Sequence, residues 1–207
     1  MATLEEQKYI SELIEKARRA QKIAESFDQE KVDHLITAIA WNIVKPGTIE
    51  EIARLAVEET QMGNYESKLA KLNTKIKGAL RDMKGKKSIG IIEKDEEKGL
   101  IKIAKPVGVI GAVNPTTNPE ATPVLKAMMA IKTRNAIVMS PHPRAKKTNT
   151  MIVNIMRQVL KKYDAPEDLI IGIEEPTLGI TQELMRQCDL ILATGGAGMV
   201  KAAYSSG

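Results

Sequence analysis

Three short loops carry the residues with the clearest chemical use. They are Ala112-Val113-Asn114-Pro115-Thr116-Thr117-Asn118-Pro119, Ser140-Pro141-His142-Pro143-Arg144 and Thr194-Gly195-Gly196-Ala197-Gly198. Each follows an apolar, strand-like run and opens a helix. A loop in that position presents free N–H groups and the positive end of a helix dipole, where anionic ligands such as dinucleotides bind. The first loop lacks the G-x-G-x-x-G fingerprint, so an ordinary strand-to-helix connection is the plain alternative. Its two prolines and two asparagines nevertheless suggest a fixed shape with amide donors able to hold a cofactor or stabilise an oxyanion. In the third loop Gly195, Gly196 and Gly198 allow the backbone to approach a ligand closely.

The second loop bears on which dinucleotide is held. Where the second strand of such a fold meets the adenosine ribose, a carboxylate favours NAD and an arginine favours NADP. The run Ser140-Pro141-His142-Pro143-Arg144-Ala145-Lys146-Lys147 has no acid and three cations at a helix start. Cations there oppose the dipole, so helix stability does not account for them, whereas binding a phosphate does. A solvated basic face is the competing reading. The expectation is NADP at least as well as NAD, with Arg144 and Lys147 on the phosphate.

A nucleophile is harder to find. The sequence has one cysteine, Cys188, beside Asp189. A neighbouring carboxylate disfavours the thiolate, and Cys188 reads as a packing residue. His34 lies on a helix with Leu35 and Ile39 and reads as structural or surface. No His, Cys, Asp and Glu set has metal-ligand spacing, and no G-x-S-x-G elbow occurs.

The elements that must position these loops follow from periodicity. Ile10, Leu13, Ile14 and Ala17, and then Val32, Leu35, Ile36, Ile39 and Ile43, recur at helical spacing. After Pro46-Gly47, Thr48 with Glu51 predicts a capping box for a third helix, with Gly63 as its stop. Leu69, Leu72, Ile76, Leu80 and Met83 predict a fourth helix ending near Gly85. Residues 88–93 and 100–104 flank the charged turn Lys94–Gly99 and predict a hairpin. Strands are expected at 107–113, 135–140, 169–173 and 189–193, with helices near 120–132, 144–162, 178–187 and 196–204. These strands are nearly continuous apolar runs, as in parallel sheets covered on both faces. The fold class is therefore α/β: a Rossmann-like parallel sheet with helices on both faces, preceded by N-terminal helices and a β-hairpin. The segments are 1–87, 88–104 and 105–207.

Composition narrows the partners. With 207 residues and 43% apolar content, the chain can build a true core from Ile, Leu, Val, Ala and Met, since aromatics are only 3%. Most of the lysines and arginines behind the net charge of +5 alternate with acids on helix faces, and no aromatic platform accompanies them, so nucleic acid is not expected. No apolar run approaches the roughly 18 residues that cross a bilayer, so no membrane partner is expected. The amphipathic N-terminal helix can be read as a membrane or encapsulation signal. Its mixed Glu and Lys face, with no flexible linker after it, favours packing on the core. A lone cysteine fits a reducing compartment, so the cytoplasm is expected, with a bacterial microcompartment lumen as the less favoured alternative.

Residues 105–207 resemble the aldehyde dehydrogenase superfamily, and within it the CoA-acylating branch. The resemblance rests on Pro106-Val107-Gly108-Val109-Ile110-Gly111-Ala112-Val113, on Pro115-Thr116-Thr117-Asn118-Pro119, and on Ala130-Ile131-Lys132. It rests further on Ser140-Pro141-His142-Pro143-Arg144-Ala145-Lys146-Lys147 and the run from Ala193 to Gly207. Val57 to Gly63 extends it upstream. Within the branch the chain is similar to enzymes acting on succinate semialdehyde, with those for acetaldehyde, propionaldehyde and sulfoacetaldehyde as neighbours. The resemblance implies oxidation of a short aldehyde to acyl-CoA with NAD(P)+ through a cysteine thioester, CoA being the co-substrate. It implies an oxyanion role for Asn118 or its neighbour Thr117, with a register open by one residue. It places Ser140, His142, Pro143 and Arg144 on the adenosine side, with Thr194, Gly195 and Gly196 facing the pyrophosphate; Pro115 and Lys147, from the loops themselves, are counted with these cofactor-binding residues. It also implies a homodimer or homotetramer at full length. The family's nucleophilic cysteine lies beyond the Gly-Gly-x-Gly segment, and Cys188 does not match it. The 207 residues are thus expected to be a cofactor-binding N-terminal part, inactive alone. A non-catalytic nucleotide-binding module or a truncated remnant is the alternative.

Overall fold

The computed structural model describes residues 2–206. Met1 and Gly207, the last residue of the family-like run, lie outside the described residues. Four helices open the chain: α1 (Leu4–Ala24), α2 (Gln29–Val44), α3 (Thr48–Thr60) and α4 (Tyr65–Met83). Thr3 starts α1 with a full capping box to Glu6, and Asp28 and Asn64 cap α2 and α4 through their side chains. The start of α3 departs from expectation. Gly47 is its N-cap, at φ +87°, and the Glu50 carboxylate accepts the Gly47 N–H at 2.6 Å. Thr48 is already helical. A backbone conformation open to glycine moves the cap one residue earlier, so the partner is Glu50 and not Glu51. The helix also stops before Gly63, because Gln61 itself takes the left-handed conformation.

The hairpin β1 (Gly90–Asp95) and β2 (Leu100–Ala104) pairs antiparallel, with a bulge between Ile91 and Glu93. Among the described residues its two strands pair only with each other, and Leu100, Ile101 and Ile103 are exposed.

Beyond the hairpin, strand and helix alternate: β3 (Val109–Asn114), α5 (Thr122–Lys132), β4 (Ala136–Pro141), α6 (Lys146–Lys162), β5 (Ile170–Gly172), α7 (Leu178–Gln187), β6 (Leu190–Ala193) and α8 (Ala197–Tyr204). Single 3-10 turns precede α6 and β5. The four strands are parallel and stand in the order β5-β4-β3-β6. The chain therefore moves outward from β3 to β5 and then returns across β3 to place β6. Right-handed crossovers put α5 and α6 on one face and the returning α7 on the other. Helix α1 joins α7 against β3 and β4, while α2 lies over α5 and α6. The N-terminal helices thus share one apolar core with the sheet, from Ile10 and Ile14 through Leu35 and Ile39 to Val138 and Ile152. Residues of β3 and β4 are all buried, which is why they read as unbroken apolar runs.

Candidate functional site

The reversal of strand order falls between β3 and β6. In open α/β sheets the crevice beyond the strands' C-terminal ends at such a point is where ligands sit. A cleft of about 680 Å³ lies there. Its walls include Pro115 and Thr117 from the first loop, His142 and Pro143 from the second, and Thr194, Gly195 and Gly196 from the third. Seven of the residues singled out in the sequence are thereby brought together. Pro176, Thr177 and Leu178 form a further wall, from the loop after β5. That loop escaped the sequence reading, although it too follows an apolar strand and opens a helix.

Four expected site residues stand elsewhere. Ser140 is completely buried and its hydroxyl bonds the Thr181 hydroxyl at 2.7 Å; Thr181 is the residue that reaches the wall. Asn118 is turned to α4, where its carbonyl oxygen accepts from Lys71 Nζ at 2.7 Å. That bond leaves the Asn118 amide NH2 facing Thr117 Oγ1, at 3.5 Å. Arg144 donates its guanidinium to the Thr60 carbonyl at 2.7 Å, at the end of α3. Lys147 is exposed beyond the cleft wall.

The first loop is held from beneath by α4. Lys68 Nζ donates to the Thr117 carbonyl at 2.7 Å and to the Glu120 carboxylate at 3.0 Å, both within the protein interior. Thr116 lines the cleft, and its Oγ1 is a buried atom with no partner among the described residues. Asn114 Oδ1 is a second such atom, on a side chain that also lines the cleft. Unpaired buried polar atoms are rare and call for an explanation, and a polar ligand in the cleft supplies one.

One residue beneath the site was passed over in the sequence. Lys126 of α5 is buried, and its ammonium donates to the carbonyls of Val113 at 2.7 Å and Leu192 at 2.6 Å. These are the C-terminal ends of β3 and β6, so one cation ties together the two strands that flank the crevice. Burial lowers the Lys126 pKa to about 8. A lone lysine among Val124, Leu125, Ala127 and Met128 was the available signal.

Cys188 is a packing residue. Its Sγ abuts Gly111, where an added Cβ would approach within 2.6 Å, and burial pushes the thiol pKa up. Asp189 is drawn into structure as well. Burial would raise its pKa, but Arg18 and the Val109 N–H, which donates at 2.7 Å, together hold it below the ordinary carboxylate value. His34 packs against Tyr163, the rings tilted by 58° with centroids 4.7 Å apart, and neither residue lines the cleft.

The arrangement matches known proteins along its whole length. The chain is 48% identical to sulfoacetaldehyde dehydrogenase of an Acholeplasma species over 94% of its residues, which is 40% of that protein. It is equally identical to the acetylating succinate-semialdehyde dehydrogenase of Clostridium kluyveri, over 96% of this chain and 43% of that one. The chain therefore spans about two fifths of the length of these curated relatives. Among solved structures, an acetylating aldehyde dehydrogenase from Geobacillus thermoglucosidasius superposes with TM-score 0.93 at 40% identity, over 99% of this chain and 45% of that one. An engineered glycolyl-CoA reductase with bound NADP+ gives TM-score 0.81 at 32% identity, over 96% and 45%. The propionaldehyde dehydrogenase of Rhodopseudomonas palustris with bound propionyl-CoA gives 0.82 at 33%, over 96% and 44%. The aldehyde dehydrogenase family model matches residues 2–206, and the chain belongs to that family.

Proposed function

We propose that this chain is the nucleotide-binding part of a CoA-acylating aldehyde dehydrogenase, which oxidises a short, succinate-semialdehyde-like aldehyde to acyl-CoA with NAD(P)+ through a cysteine thioester. The observation that carries the reading is the cleft at the β3/β6 reversal, where three independently recognised loops converge on buried polar atoms without partners. The bound nucleotide would supply the hydride acceptor. Pro115, His142, Pro143, Thr194, Gly195 and Gly196 hold it. No side chain beyond Cβ crowds Gly196, where even an added Cβ would meet open space, so backbone amides can approach a pyrophosphate. Thr117, with Asn118 beside it, is the donor region for a developing oxyanion, and Lys68 and Lys71 hold that region in place. Ser140 supports Thr181 from below, and Arg144 and Lys147 frame the start of α6 on the adenosine side, outside the cleft wall. Cys188, the only cysteine in the sequence, is committed to packing, so the nucleophilic thiol is not among these residues.

The similar proteins named sulfoacetaldehyde and succinate-semialdehyde dehydrogenases, with a relative's bound propionyl-CoA, support a short aldehyde and CoA as substrates. The whole protein is read as a cytoplasmic homodimer or homotetramer with no nucleic-acid or membrane partner. Among the described residues no helix is long and apolar enough to cross a membrane.

The test is saturable binding of NADH or NADPH to the 207-residue chain, followed by nucleotide fluorescence and by melting temperature. A ligand that binds only the native state raises the melting point. A chain that melts cooperatively but neither binds nor is stabilised by either nucleotide refutes the reading.

A further inference from the structure

The carboxylate missing from the Ser140–Lys147 run is present in space. It belongs to Glu59, near the end of α3, 88 residues before Lys147 in the sequence. One Glu59 oxygen accepts the Lys147 N–H at 2.7 Å. The other accepts the Thr148 N–H at 2.8 Å and the Thr148 hydroxyl at 2.7 Å. The start of α6 is thereby filled by a side chain of the protein itself. The placement is braced, because Arg144 at the entry to α6 grips the Thr60 carbonyl next to Glu59. Lys146 is engaged by Glu175. Of the three cations that pointed to a phosphate in the sequence, Arg144 and Lys146 are engaged by Thr60 and Glu175, and Lys147 meets Glu59 through its backbone N–H.

We infer that Glu59 sets the coenzyme preference of the cleft, selecting against a 2′-phosphate and in favour of NAD. The inference rests on the reading that the cleft takes a pyridine nucleotide. The adenosine ribose in such a sheet meets the end of the strand next to the first, here β4, whose following residues His142 and Pro143 line the cleft. A 2′-phosphate there would look to the first amides of α6 for donors. Those amides are already bonded to a negative charge, which repels a phosphate and leaves a neutral ribose hydroxyl unpenalised. The acid comes from a helix that precedes the sheet altogether, so a reading of the loop alone gives the opposite preference.

Titrating NADH and NADPH into the wild-type chain, Glu59→Gln and Thr148→Val tests this. Gln keeps an acceptor for one helix N–H and removes the charge; Thr148→Val removes one of the three bonds and keeps the charge. The wild type is expected to bind NADH more tightly. Glu59→Gln should move the NADPH-to-NADH affinity ratio toward NADPH by about tenfold, and Thr148→Val should leave the ratio alone. Added salt should narrow the wild-type ratio, since it screens a repulsion; this arm needs no variant and stands if Glu59→Gln fails to fold. An unchanged ratio in Glu59→Gln, an equal shift in Thr148→Val, or a ratio that widens with salt overturns the inference while leaving the cleft as a nucleotide site. A wild-type chain that binds neither nucleotide overturns the cleft reading itself.

Discussion

The Lys68–Glu120 pair gives a quantitative handle on how the first loop is held. Glu120 is completely buried, the Lys68 side chain is 3% exposed, and the ions are 3.0 Å apart. Glu120 Oε1 has no partner among the described residues, so Lys68 is the one group that compensates its charge. At an effective dielectric of about 20 the Coulomb attraction is roughly 5 to 6 kcal/mol. Desolvating both ions costs several kcal/mol each, so the pair contributes little net stability. Removing one member is another matter. Lys68→Met leaves a buried uncompensated carboxylate, a loss of about 3 to 5 kcal/mol, and also frees the Thr117 carbonyl from its 2.7 Å bond. For a chain of this size, that corresponds to a melting point lower by roughly 6 to 20 °C. The double variant Lys68→Met/Glu120→Met replaces both ions by apolar groups of similar size and should return to within about 1 kcal/mol of wild type. Urea denaturation followed by far-UV circular dichroism measures all three. A single variant within about 1 kcal/mol of wild type, or a double variant as unstable as the single, would refute the reasoning.

Lys126 predicts a pH dependence. Its folded pKa of about 8 lies below the ordinary 10.5, so between those values the native state binds fewer protons than the unfolded one. Stability relative to Lys126→Met should therefore rise with pH across that window, by at most about 3 kcal/mol and less to the extent that its two carbonyl partners favour the ammonium; urea midpoints at the two ends of the window that differ equally for both proteins would contradict it. Cys188, pushed up by burial, should alkylate with iodoacetamide at least about tenfold more slowly in the native chain than in urea. Equal rates would mean that the thiol is not packed as described. Gly108 sits at φ +125°, and an added Cβ would lie 2.2 Å from Asp189 Oδ2. Gly108→Ala should destabilise by on the order of 3 kcal/mol in the same denaturation assay, and a neutral result would show that the Asp189 contact yields freely.

The parts of this molecule that were legible in its sequence are those decided by neighbours in the chain. The strands at 109–114 and 136–141 are buried on both faces, so every position is apolar and the run stands out. The loops after β3, β4 and β6 announced themselves because a turn that opens a helix needs particular residues, Pro, Asn or Gly, at particular places. Interior pairings across long separations leave no such local mark. Lys126 looks like one more surface lysine until β3 and β6 are both in place to offer carbonyls, and Glu59 looks like one of many helix acids until α6 arrives above it. The capping of α3 failed by a single residue for a related reason, since Gly47 can adopt a conformation that Thr48 would resist.

That division separates where the loops converge, which follows from chain-local signals, from which charges meet there, which does not. Location depends on strand ends and on the point where strand order reverses, and both follow from the alternation of β and α elements together with crossover handedness. Preference depends on which charge sits nearest the ribose, and charge acts through space. Arg144, Lys146 and Lys147 are consecutive or nearly so, and in sequence they form a basic cluster. In the fold, Thr60 of α3 meets the Arg144 side chain, Glu175 of the β5–α7 loop meets that of Lys146, and Glu59 of α3 meets the backbone N–H of Lys147. The inferred coenzyme preference therefore turns on the packing of α3 onto α6, and Glu59→Gln should change it without altering any residue of the loop that was expected to decide it.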